Sequence, residues 1–165
     1  YKGIEYLCEA MEIVRKDVPN ATLTIAGSGR IYFDINPYMK NGYIDLHNRF
    51  IKTEEIATML KQCSICVCPY TDATQSGVIM TSFALSKPVI ASNVGGLGEM
   101  IDEGKSGLLV EPKNPVALAN AILKLLKNPI ELARMEAYIH ESYYKGKDSW
   151  LNIADKYIDF YNKIL

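Results

Sequence analysis

Five short apolar segments, each separated from the next by a stretch of helical period, constrain this chain more than any other feature. Residues 21–26, 43–46, 64–68, 88–92 and 107–110 are β-branched-rich or apolar, and most are bounded by Gly, Pro, Asn or Ser, which is how buried strands read. Between them the period changes to that of helices. Residues 3–16 place Ile4, Leu7, Cys8, Met11, Ile13 and Val14 near helical spacing, and Asp17-Val18-Pro19-Asn20 ends that run. Residues 53–62 predict a second helix, with Thr53 as its N-cap and Glu54 and Glu55 in its first turn. Residues 77–85 predict a third helix and 97–101 a helical turn. From Pro115 the chain reads helical to its end, interrupted at Asn128-Pro129 and Lys145-Gly146-Lys147. Strands that alternate with helices build a mostly parallel, doubly wound α/β sheet, here with a helical C-terminal tail.

Composition narrows the function classes. Apolar residues make up 48% of the 165, enough for a real core, and 18 Lys plus Arg against 19 Asp plus Glu give a net charge of −1. That balance offers no clustered cations for nucleic acid. No apolar run approaches the roughly 20 residues of a membrane span, and no charged-then-apolar leader opens the chain. The expected location is cytoplasmic, with a peripheral place at the inner membrane face open to a longer protein. The start at Tyr1-Lys2-Gly3, without Met, suggests a piece of a longer polypeptide. Cys63, Cys66 and Cys68 lie in or beside a strand, with no second C-x-x-C to complete a metal site. They and Cys8 are expected to be buried thiols in a reducing compartment.

In a parallel sheet of this kind, ligands sit beyond the carboxyl ends of the strands. Four loops there carry suitable chemistry: Gly27-Ser28-Gly29-Arg30, Asn48-Arg49-Phe50-Ile51, residues 71–77, and residues 93–99. Small residues let a ligand approach the backbone, and the free amides of a helix start favour an anion. Gln75-Ser76-Gly77 joins a strand to a helix with donors and no adjacent carboxylate, which suits a diphosphate; Ser76 would serve equally as a plain N-cap. Glu99 is expected to cap nearby amides, and Asp72 to make a local turn. The aromatic tail (Tyr138, Tyr143, Tyr144, Trp150, Tyr157, Phe160, Tyr161) is expected to pack.

Six segments in order resemble one family. They are Lys2–Leu7, residues 21–29, Asn48–Ile51, residues 73–79, residues 87–96 and residues 104–110. Together they look like the C-terminal, donor-binding half of the GT-B fold glycosyltransferases of family 4, whose halves are Rossmann-like. The resemblance implies that residues 1–165 form a domain binding a nucleotide-diphosphate sugar of UDP or GDP type. The acceptor domain and first strand would lie upstream. It implies a retaining hexosyltransferase that needs no metal or other cofactor, serves a glycan or lipid-linked acceptor in surface polysaccharide synthesis, and is inactive as an isolated fragment. Lys2 matches the family's catalytic lysine. Gly27, Gly29, Arg49, Ile51, Gln75, Ser76, Gly77, Val78 and Thr81 match its donor-binding positions, the loop ending at Ile51 reading the base and Gln75 to Val78 holding the diphosphate.

The sequence departs from the family at two glutamates eight positions apart, which fall on Ala73 and Thr81. A threonine cannot accept from both ribose hydroxyls as a carboxylate does; Gln75 or Asp72 is the candidate substitute. Two other readings stand beside the enzyme: a non-catalytic sugar-nucleotide-binding or scaffold module, and a nucleotide-sugar epimerase, whose nearby acids these loops lack. If the first strand is missing, the strands that flank it are expected to pair directly or to receive another segment or chain. Self-association is a further expectation.

Overall fold

The computed structural model describes residues 1–146 and 149–164, the Trp150 side chain excepted. Helix α1 (Ile4–Asp17) starts at Gly3, in the left-handed region at φ 65°, and buries Leu7, Cys8, Ala10, Met11 and Val14. There follow β1 (Leu23–Gly27), α2 (Asn36–Met39), β2 (Ile44–Asn48), α3 (Thr53–Gln62), β3 (Cys66–Cys68), α4 (Gly77–Ala84) and β4 (Val89–Ser92). A 3₁₀ segment (Gly95–Met100) leads to β5 (Gly107–Val110), α5 (Pro115–Leu126), α6 (Pro129–Ile139), a π-turn (His140–Lys145) and α7 (Trp150–Ile164). Helices α5 and α6 are punctuated as their sequence dictates. Asn114 and Asn128 accept from the amides of Ala117 (2.9 Å) and Glu131 (3.1 Å), each followed by Pro at the first helical position. Each cap contributes about 1 kcal/mol.

Every strand pairing is parallel. In the larger sheet, of order β3-β4-β5, Val67 lies opposite Ile90 and Ile90 opposite Leu108. All four residues of β4 are buried, because helices cover both faces of the sheet. On one face Ile90, Leu108 and Val110 join α1 and α5 in a core that includes Val14, Leu118, Ile122 and Leu125. On the other, Val89, Ala91 and Cys68 pack with Ile79 and Phe83 of α4, Leu97 and Ile139. Gly107 permits the β4–β5 approach, since a Cβ there would fall on the Val89 carbonyl oxygen.

The smaller sheet, β1 with β2, lies on the first core through Leu23 and Ile44. Direct pairing of the strands that flank a missing first strand is not what the structure shows: β1 and β3 neither pair with each other nor share an inserted strand of this chain, so among the described residues each has one partner strand, which leaves filling by another chain as the remaining expectation. Strand pairing joins residues distant in sequence, and no local signal reports a lost neighbour. Residues 1–3 do run beside the end of β3: the Thr71 amide donates to the Tyr1 carbonyl (2.8 Å).

Three local expectations also change. Thr53 is the first residue of α3 rather than its cap; Lys52 holds the cap position, its amide donating to Glu55 (3.1 Å). Cys8 and Cys68 are buried, but Cys63 and Cys66 are only half-buried; all four are free thiols. In the tail, Tyr143 packs on Phe83 and Tyr144 stacks on His140, whereas Tyr157, Phe160 and Tyr161 of α7 are exposed. Lys147 and the Trp150 side chain lie outside the described residues.

Alternate amides of a parallel strand face opposite edges, and that of Cys66 donates to Pro88 (3.0 Å) across the β3–β4 seam. Val67 therefore presents its amide to the edge without a strand. In the 165-residue chain its hydrogen exchange should be at least an order of magnitude faster than that of Ile90 in β4. Equal protection by NMR would mean that the edge is covered.

Candidate functional site

Because the strands are parallel, the loops after β1, β2, β3 and β4 all leave the carboxyl ends of their sheets. Gly27 has φ 146°, a conformation other residues rarely adopt, and a Cβ at Gly27 or Gly29 would meet open space. The Gly29 amide donates to Asn48 Oδ1 (3.2 Å), tying the loops after β1 and β2 together.

The loop from Asn48 to Lys52 is held by one carboxylate. Glu55 accepts from both terminal nitrogens of Arg49 (2.5 and 3.1 Å) and from the Lys52 amide, and Arg49 also donates to the Phe50 carbonyl (3.0 Å). The Arg49 guanidinium, then the Lys52 amide, draws the Glu55 carboxyl down to about 2, so this clamp is intact above the ordinary carboxylate range and is lost as pH falls through about 2. Arg49, named by the sequence as a donor-binding cation, is thus engaged by Glu55. Ile51 is buried beneath the loop and Phe50 points outward.

Helix α4 opens without a side-chain cap. Ser76 occupies the cap position, but its hydroxyl reaches toward the Tyr70 hydroxyl (3.5 Å) rather than the helix amides. The plain N-cap reading of Ser76 is therefore not what the structure shows. No acidic residue lies in the first turn. Gly77 has no positive φ, and a Cβ there would touch nothing within 4 Å, so its glycine relieves neither strain nor crowding. Gln75, Gly77, Val78 and Thr81 are exposed, and the Thr81 hydroxyl donates to the Gly77 carbonyl (2.8 Å).

Lys2 reaches the same loop. Its ammonium lies 4.0 Å from the centre of the Tyr70 ring and 4.8 Å from that of Tyr1. Partial burial pulls its pKa down, but the contacts with Tyr70 and Tyr1 outweigh this and leave it raised, so Lys2 is a fixed cation at neutral pH. Lys2, Tyr70 and Ser76 thus form one chain of contacts.

The loop after β4 plays a different part from the one its glycines suggested. A Cβ at Gly95 or Gly96 would fall on the carbonyl oxygen of Ala73 or Thr74, so the pair seats the loop that leads into α4. Glu99 is exposed, and its carboxylate accepts no hydrogen bond from the described residues, contrary to the expected cap. An open groove of about 360 Å³ lies away from these loops, between β5 and α5, lined by Glu103, Leu109, Ala117 and Lys124 among others. Sequence reasoning missed Glu55 and Tyr70. Glu55 stands three residues after Lys52, the spacing of a capping box, but lysine at the cap position hid the signal.

Comparison with known proteins assigns the architecture. The family model for glycosyl transferases group 1 matches residues 1–128, and the chain belongs to that family. An uncharacterised glycosyltransferase of Methanocaldococcus jannaschii is 36% identical over 130 residues, covering 77% of this chain and 35% of the relative. D-inositol 3-phosphate glycosyltransferase of Corynebacterium urealyticum is 29% identical over 119 residues, 70% of this chain and 28% of that protein. The chain thus spans about a third of the length of these curated relatives. Among solved structures, sucrose-phosphate synthase of Thermosynechococcus elongatus superposes with a TM-score of 0.76 at 25% identity, over 99% of this chain and 42% of that one. A TarM mutant of S. aureus, crystallised with UDP among its ligands, gives 0.77 at 22% identity, over 98% of this chain and 33% of its own. The fold is that of the C-terminal domain of a GT-B glycosyltransferase, as the sequence motifs implied.

The seating on Gly95 of the loop that leads into α4 is open to a stability test. Gly95→Ala forces a side chain onto the Ala73 carbonyl at φ 49° and should cost about 2 kcal/mol or more in urea unfolding. Gly98→Ala, whose Cβ meets only the Asn93 side chain at 2.8 Å, should cost clearly less. Equal costs would show that the loop is not held by Gly95.

Proposed function

We propose that these residues are the donor half of a retaining glycosyltransferase that binds a UDP- or GDP-type sugar and passes the sugar to a glycan or lipid-linked acceptor in surface polysaccharide synthesis. The observation that carries this reading is the opening of α4. A helix start with no side-chain cap, no first-turn acid, open space at Gly77 and a cation two contacts away is built for an anion. In this reading the base lies along Asn48–Ile51, Gly27 and Gly29 border the nucleoside, and Gln75, Ser76, Gly77 and Val78 hold the diphosphate. The Thr81 hydroxyl, already donating to Gly77, keeps lone pairs with which to accept from one ribose hydroxyl. Arg49 acts by shaping its loop.

Magnitudes show why several donors are needed. A helix start contributes about 0.3–1 kcal/mol toward an anion at an exposed site, whereas micromolar affinity needs about 8 kcal/mol. The amides of α4 must act with Lys2 and the nucleoside contacts. When the bond from sugar C1 to the diphosphate breaks and the acceptor oxygen takes its place, negative charge grows on the diphosphate. Lys2 and the α4 amides then contribute most where that charge develops. The other half of such an enzyme supplies the acceptor, so residues 1–165 alone should bind donor without turnover. The reaction needs no metal here, and the protein works in the cytoplasm or at the inner membrane face.

Titration calorimetry of the protein with UDP and GDP tests this. One of them should bind and raise the melting temperature, since a ligand selective for the native state stabilises it. Gly77→Val should weaken that nucleotide about tenfold or more, while moving the melting temperature by no more than a few degrees. Unchanged affinity would remove the loop from the site, and absence of binding by either nucleotide in the unaltered protein would favour the scaffold reading.

A further inference from the structure

Tyr70, which no motif singled out, touches both ends of the corner between Lys2 and the start of α4. It is 5% exposed, lies two residues past β3, and belongs to the core that holds Cys68, Ile79 and Phe83. Phenylalanine would fill that volume as well, and a buried hydroxyl is costly unless it is partnered. Its partner is Ser76, also 5% exposed, whose hydroxyl donates toward the Tyr70 oxygen (3.5 Å), with the buried Cys68 thiol against both. Serine at a helix cap position ordinarily accepts from the amides of the first turn. Here its hydroxyl is turned into the core instead, and the α4 amides have no side-chain cap.

The ring of the same residue serves the other end. Residues 1–3 are fastened on either side of it: the Tyr1 carbonyl accepts from the Thr71 amide (2.8 Å), and Gly3 closes on the Pro69 carbonyl oxygen, where a Cβ would collide. The Tyr1 ring meets that of Tyr70 edge-on, with centroids 6.2 Å apart. Lys2, between these anchors, lays its ammonium 4.0 Å from the Tyr70 ring centre and 4.8 Å from that of Tyr1. No carboxylate is among the groups that act on its ionisation. A ring face orients an ammonium without neutralising it, so its N–H donors stay available to an anion. A lysine side chain already held in this way also loses less freedom when it binds.

We infer that Tyr70 is the positioning residue of the diphosphate site: its hydroxyl keeps Ser76 off the amides of α4, and its ring holds the Lys2 ammonium two contacts away from them. This rests on the nucleotide-sugar reading above and adds to it a residue that acts without touching the ligand. Removing the hydroxyl frees Ser76 to cap α4 and compete with the phosphates. Removing the ring frees Lys2 to swing into solvent.

The test titrates UDP and GDP into the whole chain carrying Tyr70→Phe, Tyr70→Leu, Lys2→Met or Ser76→Ala, singly and in pairs. Tyr70→Phe should weaken the preferred nucleotide about threefold, yet add nothing to Ser76→Ala, because the hydroxyl acts through Ser76. Tyr70→Leu should bind about fivefold more weakly than Tyr70→Phe, which keeps the ring, and this difference should vanish when Lys2 is Met. A packing role alone would make the losses add. The NMR resonances of the Lys2 methylene protons give a second readout: they should lie upfield, shifted by the ring, in the unaltered protein and in Tyr70→Phe, and at ordinary positions in Tyr70→Leu. Should Tyr70→Leu not fold, the shift in the unaltered protein and the Ser76 pairing carry the decision. Unchanged affinity in Tyr70→Phe, losses that add in the paired variants, or Lys2 protons unshifted in the unaltered protein overturns the assignment and leaves the nucleotide reading intact. If the unaltered protein binds neither nucleotide, that reading itself has failed and the assignment falls with it.

Discussion

The parallel pairing of β4 between β3 and β5 is the constraint from which the rest follows. A parallel strand cannot be joined to its neighbour by a tight turn, so each junction must cross the sheet and return, and each strand's carboxyl end opens on the same edge. Both faces of β4 must then be covered, and they are, by α1 and α5 on one side and by α4 with the 3₁₀ segment on the other. The helices that bury Ile90 and Val89 are thus the same elements whose starts border the site. Glycine placement completes the arrangement. Gly107 lets β5 close on the Val89 carbonyl, Gly95 and Gly96 let the following segment close on Ala73 and Thr74, and Gly77 leaves room. The first three are glycines of packing. Gly77 is not, and a residue that neither strain nor crowding requires is the better witness to a ligand.

The sequence made much of this legible because its strongest signals are local. Helix α3 was read at its full extent, residues 53–62, and β5 at 107–110, since each is bounded by sharp changes of period. The strand-end loops were legible for the same reason, glycines and hydroxyl residues being turn chemistry before they are anything else. What escaped was everything set by distant partners. The four-residue helix α2 is too short to show a period. The division of the strands into two sheets depends on pairing between residues far apart. The exposure of Tyr157, Phe160 and Tyr161 does too, because helical spacing alone does not say whether a face finds a neighbour. The Arg49–Glu55 ion pair, six residues apart across a loop-to-helix junction, was likewise not legible from spacing alone.

Electrostatics distinguish the two ends of the site. At the β2 end, cation and carboxylate are matched, so the clamp carries little net charge and serves geometry. At the α4 end, the neighbouring side chains are hydroxyls, an amide and Lys2, with Asp72 exposed on the same loop. In the proposed reading, such a gradient would draw a diphosphate to one end and leave the other to a neutral base. The loss of carboxylates at positions 73 and 81 sharpens the gradient, since acids there would have opposed the phosphate charge while serving the sugar.

That gradient is insensitive to pH over the range in which cells work. The Lys2 pKa is raised above an ordinary value already near 10, so the ammonium holds its proton through neutrality. Glu55, drawn down to about 2, holds its charge equally well, and the backbone amides of α4 do not titrate. Neither Lys2 nor Glu55 changes charge between about pH 5 and 8. The ligand does: a terminal phosphate takes up its second proton near pH 6. On mild acidification nucleotide affinity should fall as the terminal phosphate loses charge. A sugar-bearing diphosphate, in which each phosphorus carries one ester and one anhydride link and so lacks that second ionisation, should not share that fall.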